Sequence, residues 1–507
     1  MFYLKKLPVF FILVAMLFVA SCKDSEKENK EAEAETVDST IELPVNTDSK
    51  EALQAFEEGL EYFDEGNQRK ARAKFDQALE YDPDFVSAQM YRTYTANSAK
   101  DWATNRDKFM AMRDKANESE GMMMDITEAS MKSDVDKELE ISEKMVEKYP
   151  KSARAMDNLA NYYNNNDQEE KAREHWKKAL ELNPEFVPAI TSLGASYLFD
   201  SPKDKDQAKK YFEMLVKTAP NSSRSHILMG DYYRDRDQLD QALASYEKAA
   251  SLDPEDDVAL AKSGHANSIL GNYEEARKNF KDAREASEFG TNLSAEANTY
   301  VYEGKSKEAL TFLEEGTKSL DSLDIPESNI NIAKYQAAYT AAHIAMHDGD
   351  AKRLEKIVSS MKPISSKLVS EANSPVVTAN QNALMSYWDS MVLVSNKNYK
   401  EAMTKAESIK KAVESINTPN KLELYHRAMA VINYHMGNTE KAMEHIAQTD
   451  EDYIHDQYWK AKIHEKAGKT EEAMELYEEI AEERFNSIEF ALIRDEVNKK
   501  VGANSDS

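Results

Sequence analysis

Residues 223–256, SRSHILMGDYYRDRDQLDQALASYEKAASLDPED, contain the pattern that decides the fold. Small side chains stand at Gly230 and Ala242, an aromatic ring follows at Tyr246, and a proline follows at Pro254. Small side chains let two antiparallel helices approach closely, and an aromatic ring fills the space beside their crossing point. Proline stops the second helix because it lacks an N–H group and disfavours a helical residue before it. The stretch therefore predicts two short helices that pack against each other.

The same pattern recurs along the chain with a period of about 34 residues. Copies occupy residues 52–85 and continue through residues 153–310. The pattern resembles the tetratricopeptide repeat (TPR), a unit of two helices that must stack on its neighbours to bury its apolar face. The resemblance implies an all-α fold, a right-handed superhelical α-solenoid of about ten to twelve TPR-like antiparallel helix pairs.

The strength of the repeat signature divides the helical part of the chain. Residues 51–325 are assigned to a TPR solenoid, and residues 326–507 to a degenerate TPR-like helical region with a C-terminal capping helix. Within the second region, Ser359 to Pro375 contains two prolines and several serines, so we expect a break in the helical stack there. The capping helix is predicted over Phe485 to Val501, where an apolar stripe would cover the last pair. This stripe comprises Phe490, Ile493 and Val497.

The first 22 residues resemble a bacterial lipoprotein signal peptide. Lys5 and Lys6 precede an apolar run from Leu7 to Ala20, which is shorter than the roughly 20 apolar residues that span a bilayer. The run leads into Val19-Ala20-Ser21-Cys22, which resembles the lipobox that directs cleavage and lipid attachment at the cysteine. Cys22 is the only cysteine of the chain, and this resemblance accounts for it. The alternatives are an ordinary cleaved signal and an uncleaved anchor.

Residues 23–50 are charged, free of aromatic residues and without periodicity, which predicts a disordered acidic tether. The acidic residues shortly after Cys22 resemble an export signal that some Gram-negative bacteria use for surface lipoproteins. The residue directly after Cys22 is not the aspartate that retains enterobacterial lipoproteins in the inner membrane. We therefore expect an outer-membrane lipoprotein of the cell envelope, either periplasmic or surface-exposed.

The charge of the chain restricts the class of partner. The formal net charge is −27 at pH 7, whereas a protein that binds nucleic acid needs clustered lysines and arginines on its surface. We therefore predict no nucleic-acid partner. The expected contacts are a protein or peptide partner of basic or neutral character, and the membrane through the lipid on Cys22.

The sequence contains no recognisable catalytic or cofactor-binding motif. Residues 464–468, HEKAG, lack the second histidine of the zinc protease motif. His343 and His347 lie four residues apart on a predicted helix and, with Asp348 or Asp350, form the best alternative for a metal site. Such histidine pairs are common on amphipathic helices, so we predict no metal site. Because the sequence has no recognisable catalytic or cofactor-binding motif, we also predict no cofactor and no enzymatic activity.

In tetratricopeptide proteins the first helix of each pair lines a concave groove, and the resemblance implies which residues a partner would contact. In the repeats that start at Ala153 and Ser223, the residues at groove positions are mostly polar. Asparagine can pair with the backbone of an extended peptide. The alternative is an ordinary solvated helix face. The predicted partner-binding groove comprises Arg154, Asp157, Asn161, Asn164, Asn165, Arg224, Asp231 and Arg234.

Two apolar stretches have two interpretations each. Phe56, Leu60 and Phe63 form a strip on the first predicted helix, which either receives a partner or packs beneath the next helices. The methionines between residues 110 and 131 form either an adaptable binding surface or a loosely packed core.

These observations favour a scaffold or adaptor that binds other proteins. The alternative function is a glycan- or nutrient-binding surface lipoprotein, a class in which long loops rich in Trp, Gly and Asn build the sugar site. Four tryptophans and 14 glycines in 507 residues argue against that class. A third class, an enzyme with an unrecognised site in residues 328–415, has no motif in its favour.

Overall fold

The computed structural model of the protein describes residues 43–484 and 487–505. Within these residues the chain forms 25 α-helices, two short 3₁₀ turns and no β-strand. The helices form twelve consecutive pairs, and a single helix follows the last pair. The predicted all-α fold of ten to twelve TPR-like helix pairs is therefore confirmed. The predicted signal peptide, Cys22 and residues 23–42 of the predicted tether lie outside the described residues.

The chain divides into two compact units, and the first of them ends at Lys262. Its helices form six pairs. They are α1 (Lys50–Asp64), α2 (Gln68–Tyr81), α3 (Val86–Tyr94), α4 (Ala99–Ala111), α5 (Glu118–Met131), α6 (Val135–Lys148), α7 (Ala153–Asn165), α8 (Glu169–Leu182), α9 (Val187–Phe199), α10 (Lys205–Thr218), α11 (Ser223–Asp235) and α12 (Leu239–Leu252).

The second unit begins at Ser263, inside helix α13 (Asp257–Leu270). This boundary differs from the division between residues 325 and 326, which the weakening of the repeat pattern predicts. The remaining helices are α14 (Tyr273–Ala286), α15 (Leu293–Tyr302), α16 (Ser306–Ser319), α17 (Glu327–His347), α18 (Ala351–Ala372), α19 (Pro375–Ser395), α20 (Tyr399–Ala412), α21 (Glu423–Met436), α22 (Thr439–Ile446), α23 (Ile454–Lys466), α24 (Thr470–Ala481) and α25 (Ile488–Ser505).

A glycine on the first helix and an aromatic ring on the second form the closest contact of several pairs. A Cβ atom added to Gly230 would lie 2.7 Å from Cδ1 of Tyr246, which is closer than packed carbon atoms can approach. The sequence pattern predicts Ala242 at this crossing, and Ala242 is buried. The residue that covers Gly230, however, is Tyr246. The same arrangement joins Gly59 to Phe75, Gly194 to Phe212 and Gly264 to Phe280.

The turn inside a pair needs a residue with left-handed backbone geometry. Gly66 and Gly437 occupy this position with φ values of 85° and 80°, which glycine adopts without steric cost. Asp167 and Asp237 take the same position in two other pairs, with φ values of 55° and 56°. Short acidic side chains tolerate this conformation better than most, so one turn geometry serves several sequences.

The predicted break between Ser359 and Pro375 is wrong. Residues Ala351–Ala372 form one continuous helix, α18, with Pro363 in its interior, and Pro375 is the first residue of α19. Proline costs the helix a hydrogen bond, but α18 also carries an apolar stripe that packs against its neighbours. The buried residues of the stripe include Leu354, Val358, Met361 and Leu368. The burial of this stripe outweighs the local cost of the proline.

Residues 43–49, the end of the predicted 23–50 tether, contact the first helix pairs. The Thr47 hydroxyl donates to Asp82 Oδ2 at 2.6 Å, and Asn46 Nδ2 donates to the Lys115 carbonyl at 2.7 Å. The carbonyl of Pro44 accepts a hydrogen bond from Asn117 Nδ2 at 2.9 Å. The described part of the predicted tether is therefore bound to the helices, and any tether would end before residue 43.

The C-terminal helix α25 spans Ile488–Ser505, whereas the sequence predicts a capping helix over Phe485 to Val501. Its predicted apolar stripe of Phe490, Ile493 and Val497 is buried. None of the described helices combines the length and the apolar character that crossing a bilayer requires.

Gly230→Ala tests the close contact with the smallest possible side chain. We expect the free energy of unfolding to fall by about 1–3 kcal/mol, because the added methyl group must displace the buried ring of Tyr246. Gly121→Ala is the matched control, since nothing lies within 4 Å of a Cβ atom at this helical position. Urea denaturation followed by circular dichroism measures both changes. Equal stability of the two variants would contradict the assigned helix contact.

Candidate protein-binding site

Arg154, the first predicted groove residue, forms a two-point ion pair with the end of the first helix. Its two terminal nitrogens lie 2.7 and 2.6 Å from the carboxylate oxygens of Asp64. The guanidinium also stacks over the ring of Phe186, with 4.9 Å between Cζ and the ring centroid. Asp64 ends α1 and Arg154 begins α7, so this contact joins the first pair of the unit to the fourth. The positive charge of Arg154 is therefore paired with a carboxylate of the same unit.

Asp157 lies one turn further along α7 and is also turned inward. Its Oδ1 accepts a hydrogen bond from the indole N–H of Trp176 at 3.0 Å. Burial raises the pKa of this carboxyl to about 6, although the positive charge of Arg154 opposes the rise. Asp157 thus connects the two helices of the fourth pair.

Asp231 is the centre of a second buried charge cluster, on α11. It accepts hydrogen bonds from the Tyr246 hydroxyl and from Lys262 Nζ, both at 2.8 Å, and Arg234 lies 3.2 Å away. Burial disfavours the charged form of Asp231, but Lys262 and Arg234 outweigh it and lower its pKa to about 2. Burial lowers the pKa of Lys262 itself to about 8. Asp231 and Lys262 therefore tie the sixth pair to the helix that follows it.

The eight predicted groove residues fall into two groups. Asp157, Asn164, Asp231 and Arg234 are at most 7% exposed, so a partner cannot reach them. Arg154, Asn161 and Arg224 are half-buried, and Asn165 is exposed. The repeat position did not indicate that half of these side chains are covered.

Further contacts explain why the inner residues of the first unit are covered. The Ser222 hydroxyl, just before α11, donates to the Glu65 carbonyl at 3.2 Å, just after α1. Arg69 on α2 pairs with Glu255, beyond α12, at 2.9 Å. The first pair of this unit therefore contacts residues just before and just after the sixth pair.

The second unit contains a cluster that the sequence analysis did not identify, here called the Glu489 cluster. It comprises Tyr339 and His343 on α17, Tyr453 and His455 at the start of α23, and Glu489 on α25. Glu489 Oε1 accepts hydrogen bonds from the hydroxyls of Tyr453 at 2.9 Å and Tyr339 at 3.4 Å. His343 Nε2 lies 3.7 Å from the same oxygen, beyond hydrogen-bond distance.

Arg427 on α21 supports the cluster from outside. Its Nε and one terminal nitrogen bind the two carboxylate oxygens of Asp456 at 2.6 and 2.7 Å, and Glu423 accepts a further hydrogen bond at 2.6 Å. The guanidinium lies over the Tyr453 ring, 4.5 Å from its centroid. Arg427 therefore positions the tyrosine that donates to Glu489.

Burial controls the protonation of the cluster. It lowers the pKa of His343 to about 4, so this imidazole is neutral at physiological pH. Burial alone would raise the pKa of Glu489, but His343, His455 and the Tyr453 hydroxyl hold it below its ordinary value. The cluster thus holds a carboxylate beside the neutral ring of His343 and two tyrosine hydroxyls.

The hydrogen bonding of the cluster is incomplete. His455 Nε2 accepts from the indole N–H of Trp459 at 3.2 Å, which leaves the proton of the ring on Nδ1. Within the described residues, His455 Nδ1, His343 Nε2 and the indole nitrogen of Trp388 are buried and have no hydrogen-bond partner. A buried donor without a partner costs about 1–3 kcal/mol. Three buried polar atoms at the cluster therefore make no hydrogen bond to α25.

The remaining alternatives of the sequence analysis can now be resolved. His343 is buried, whereas His347, Asp348 and Asp350 are exposed, so the alternative metal site does not form. Within the described residues no group of three or more His, Cys, Asp or Glu side chains could hold a metal ion. Gly468, at the end of the HEKAG stretch, is a turn residue with a φ of 77°.

The two apolar stretches are core, not binding surface. Phe56 packs on Phe85 with ring centroids 4.8 Å apart, and Phe63 packs on Tyr91 at 5.1 Å. The methionines at positions 122–124 are buried in the same core as Phe85.

A sequence signal for the Glu489 cluster existed in α25. Glu489 lies four and eight residues before Ile493 and Val497, and therefore on the apolar face of the helix. An ionisable residue on such a face needs a buried partner. The sequence did not indicate that this partner lies on α17 and α23, more than thirty residues away in either case.

Comparison with known proteins identifies the repeat. Models described as tetratricopeptide repeat match residues 56–119, 152–183, 192–222, 223–256 and 457–484. The chain therefore carries tetratricopeptide repeats, in both of its units.

The relatives are distant. Anaphase-promoting complex subunit CDC16 of Saccharomyces cerevisiae is 24% identical over 145 residues, which are 29% of this chain and 17% of that protein. The crystal structure of MamA is 23% identical and covers 32% of this chain and 93% of its own, with a TM-score of 0.28. The MamA RS-1 ArsTM double mutant is 20% identical and covers 34% of this chain and 95% of its own, with a TM-score of 0.29.

Arg154→Met tests whether this predicted groove residue has a structural role. We expect the free energy of unfolding to fall by about 2–4 kcal/mol, because Asp64 would keep a largely buried charge without its partner. Arg113→Met is the control, since the pair of Arg113 with Asp125 is exposed and contributes at most about 1 kcal/mol. Urea denaturation measures both. If Arg154→Met is no more destabilising than the control, the ion pair does not hold the first and fourth pairs together.

His343 makes the stability of the second unit depend on pH. The unfolded chain binds a proton at His343 near pH 6.5 and the folded chain only near pH 4, so this stability is complete above pH 6.5 and is lost as the pH falls toward 4. We expect the free energy of unfolding of the wild type, relative to His343→Gln, to fall by about 2 kcal/mol from pH 7 to pH 4.5.

Glu489, His455 and Arg427 face His343 and are present in both proteins, so their titration largely cancels in this difference. Urea denaturation at several pH values gives the result. A difference that does not change with pH would show that His343 is not shielded from protons in the folded protein.

Proposed function

We propose that this protein is a lipid-anchored scaffold or adaptor that binds protein or peptide partners in the cell envelope. The observation that carries the proposal is the row of twelve consecutive helix pairs, several of which match the tetratricopeptide repeat. Stacked repeats build an extended surface from many similar short segments, which suits the binding of another polypeptide. Binding, and not catalysis, is the role we assign to this surface.

The charge of the chain supports a partner of basic or neutral character. A net charge of −27 repels acidic surfaces and attracts basic ones over distances of about 8 Å at physiological salt. Of the predicted groove residues, Asn165 is exposed, and Asn161 and Arg224 are partly accessible. These three side chains are the ones we expect a partner of the first unit to contact.

The anchor and the location are proposed from the sequence. The positive residues, the short apolar run and the lipobox-like segment that ends at Cys22 support cleavage and lipid attachment at this cysteine. The acidic residues that follow support export to the outer membrane, facing either the periplasm or the exterior. A lipid at this position would hold the repeats close to the membrane and to its proteins.

The variant Cys22→Ser tests the lipid anchor. Cells that express this variant or the wild type also serve to test partner binding. We expect this variant to lose palmitate labelling and to leave the membrane fraction, because serine cannot accept the lipid. Ser21→Gly should remain membrane-bound, since glycine is preferred at that lipobox position. Palmitate labelling and fractionation of cells give both results, and retention of Cys22→Ser in the membrane with its label would contradict the anchor.

Partner binding is measured by cross-linking in cells, affinity purification and mass spectrometry. We expect the anchored protein to retain specific envelope proteins, and high salt to weaken this retention because the chain is acidic. The tag alone is the control. Recovery of no protein above that control, together with binding to a glycan array, would favour the glycan-binding alternative and overturn the scaffold.

A further inference from the structure

Helix α25 lies against the first helices of three different pairs of the second unit. Phe490 packs on Tyr302 of α15, with ring centroids 6.3 Å apart, and Glu489 reaches α17 and α23 through the Glu489 cluster. Glu496 accepts a hydrogen bond from Tyr458 of α23 at 2.7 Å. A single helix at the end of the unit therefore covers the eighth, ninth and twelfth pairs, in addition to the second helix of the last pair.

The two faces of α25 differ sharply. Val497 is 0% exposed, and Ile488, Phe490 and Ile493 are also buried. Asn498, the next residue along the helix, is exposed. The surface that receives α25 therefore accommodates one face of an amphipathic helix.

At one end of this contact, several buried polar groups lack a hydrogen-bond partner. Glu489 receives hydrogen bonds from two tyrosines, but His343 stays at 3.7 Å, and His343 Nε2, His455 Nδ1 and the Trp388 indole nitrogen have no partner among the described residues. Such groups disfavour the state that buries them. The stabilisation from the apolar contacts of α25 is therefore partly offset by polar groups without a partner at one end. This lowers the free-energy cost of exchanging α25 for another helix.

We propose that the surface beneath α25 binds an amphipathic helix of another protein and that α25 is its autoinhibitory occupant. The proposal rests on the protein-binding function proposed above and specifies the surface and the kind of partner. When α25 detaches, α15, α17 and α23 present the same apolar and polar groups to the incoming helix. A partner carboxylate that sits closer to His343 and His455 than Glu489 does would bind in preference to α25.

The sequence of α25 defines the pattern of the partner. An acidic residue matches Glu489, an aromatic residue follows directly, and apolar residues stand four and eight positions after the acid, as Ile493 and Val497 do. A basic residue eleven positions after the acid matches Lys500, which pairs with Glu465 of α23 at 2.6 Å. These positions share one helical face. The basic residue also agrees with the acidic character of the chain.

The test uses a fluorescein-labelled synthetic peptide of residues 487–505 and three full-length proteins. They are the wild type, Val497→Asp, which introduces a charge into the buried face of α25, and the matched control Asn498→Asp on its exposed face. We expect the peptide to bind Val497→Asp at least roughly ten-fold more tightly than the other two, because the variant leaves its surface open. A Glu489→Lys peptide should bind Val497→Asp roughly ten-fold more weakly than the natural peptide.

A measurement on the wild type keeps the proposal testable if Val497→Asp does not fold. Hydrogen exchange of the α25 amides should speed up when unlabelled peptide is added in excess, because the peptide captures the molecules in which α25 has detached. Exchange in α20, which packs on α19 and α21, should not change. Unchanged exchange in α25 would overturn the proposal.

Other outcomes are equally decisive. Equal peptide affinity of folded Val497→Asp and Asn498→Asp would overturn the proposal. So would a dimer, detected by light scattering, in which α25 of one copy occupies the surface of the other. If both variants retain the same envelope proteins equally, only the role of α25 fails. If neither variant nor the wild type retains any, the proposed scaffold function fails instead.

Discussion

The steric fit between a small residue on the first helix and a bulky one on the second sets the distance within each pair. Where glycine faces Phe75, Phe212, Tyr246 or Phe280, no space remains for a methyl group. The two residues stand sixteen positions apart, except that Gly194 and Phe212 are eighteen apart, and other pairs have alanine and a large buried side chain at a spacing of sixteen, as Ala160 and Trp176 do. A constant distance within pairs lets the next pair stack in a similar way, and the burial of every later side chain depends on that regularity.

This contact explains why so much of the fold could be predicted. Both of its members belong to one repeat, so the spacing between them is visible in the sequence. The spacing persists where the rest of the signature fades: Ala430 stands sixteen residues before Ile446, and Ala461 sixteen before Tyr477. Helix α18 could not be predicted in the same way. Its continuity through Pro363 depends on the packing of its apolar stripe, which local sequence preferences do not report.

The candidate site was harder to predict, because position within a repeat gives the side of a helix but not what lies opposite. Arg154 is predicted as a groove residue, yet its guanidinium pairs with Asp64, which lies ninety residues earlier in the chain. In the second unit the decisive residue, Glu489, lies outside the repeats altogether. In both units, polar side chains of first helices bond to other groups of the same unit, as Asp231 and Tyr339 do. Partner binding must therefore use exposed edges or displace something already bound.

Because α25 is the last described helix of the chain, it also determines the order in which contacts form during folding. Several helix pairs close a contact between residues sixteen to eighteen positions apart, so such a pair can form soon after it emerges from the ribosome. The Glu489 cluster joins α17, α23 and α25, and it cannot form until residue 489 has been synthesised. Until then His343 and the tyrosines of the cluster lack the carboxylate that they face in the complete protein. Translation therefore separates two events, local pairing of helices and the later closure of the second unit.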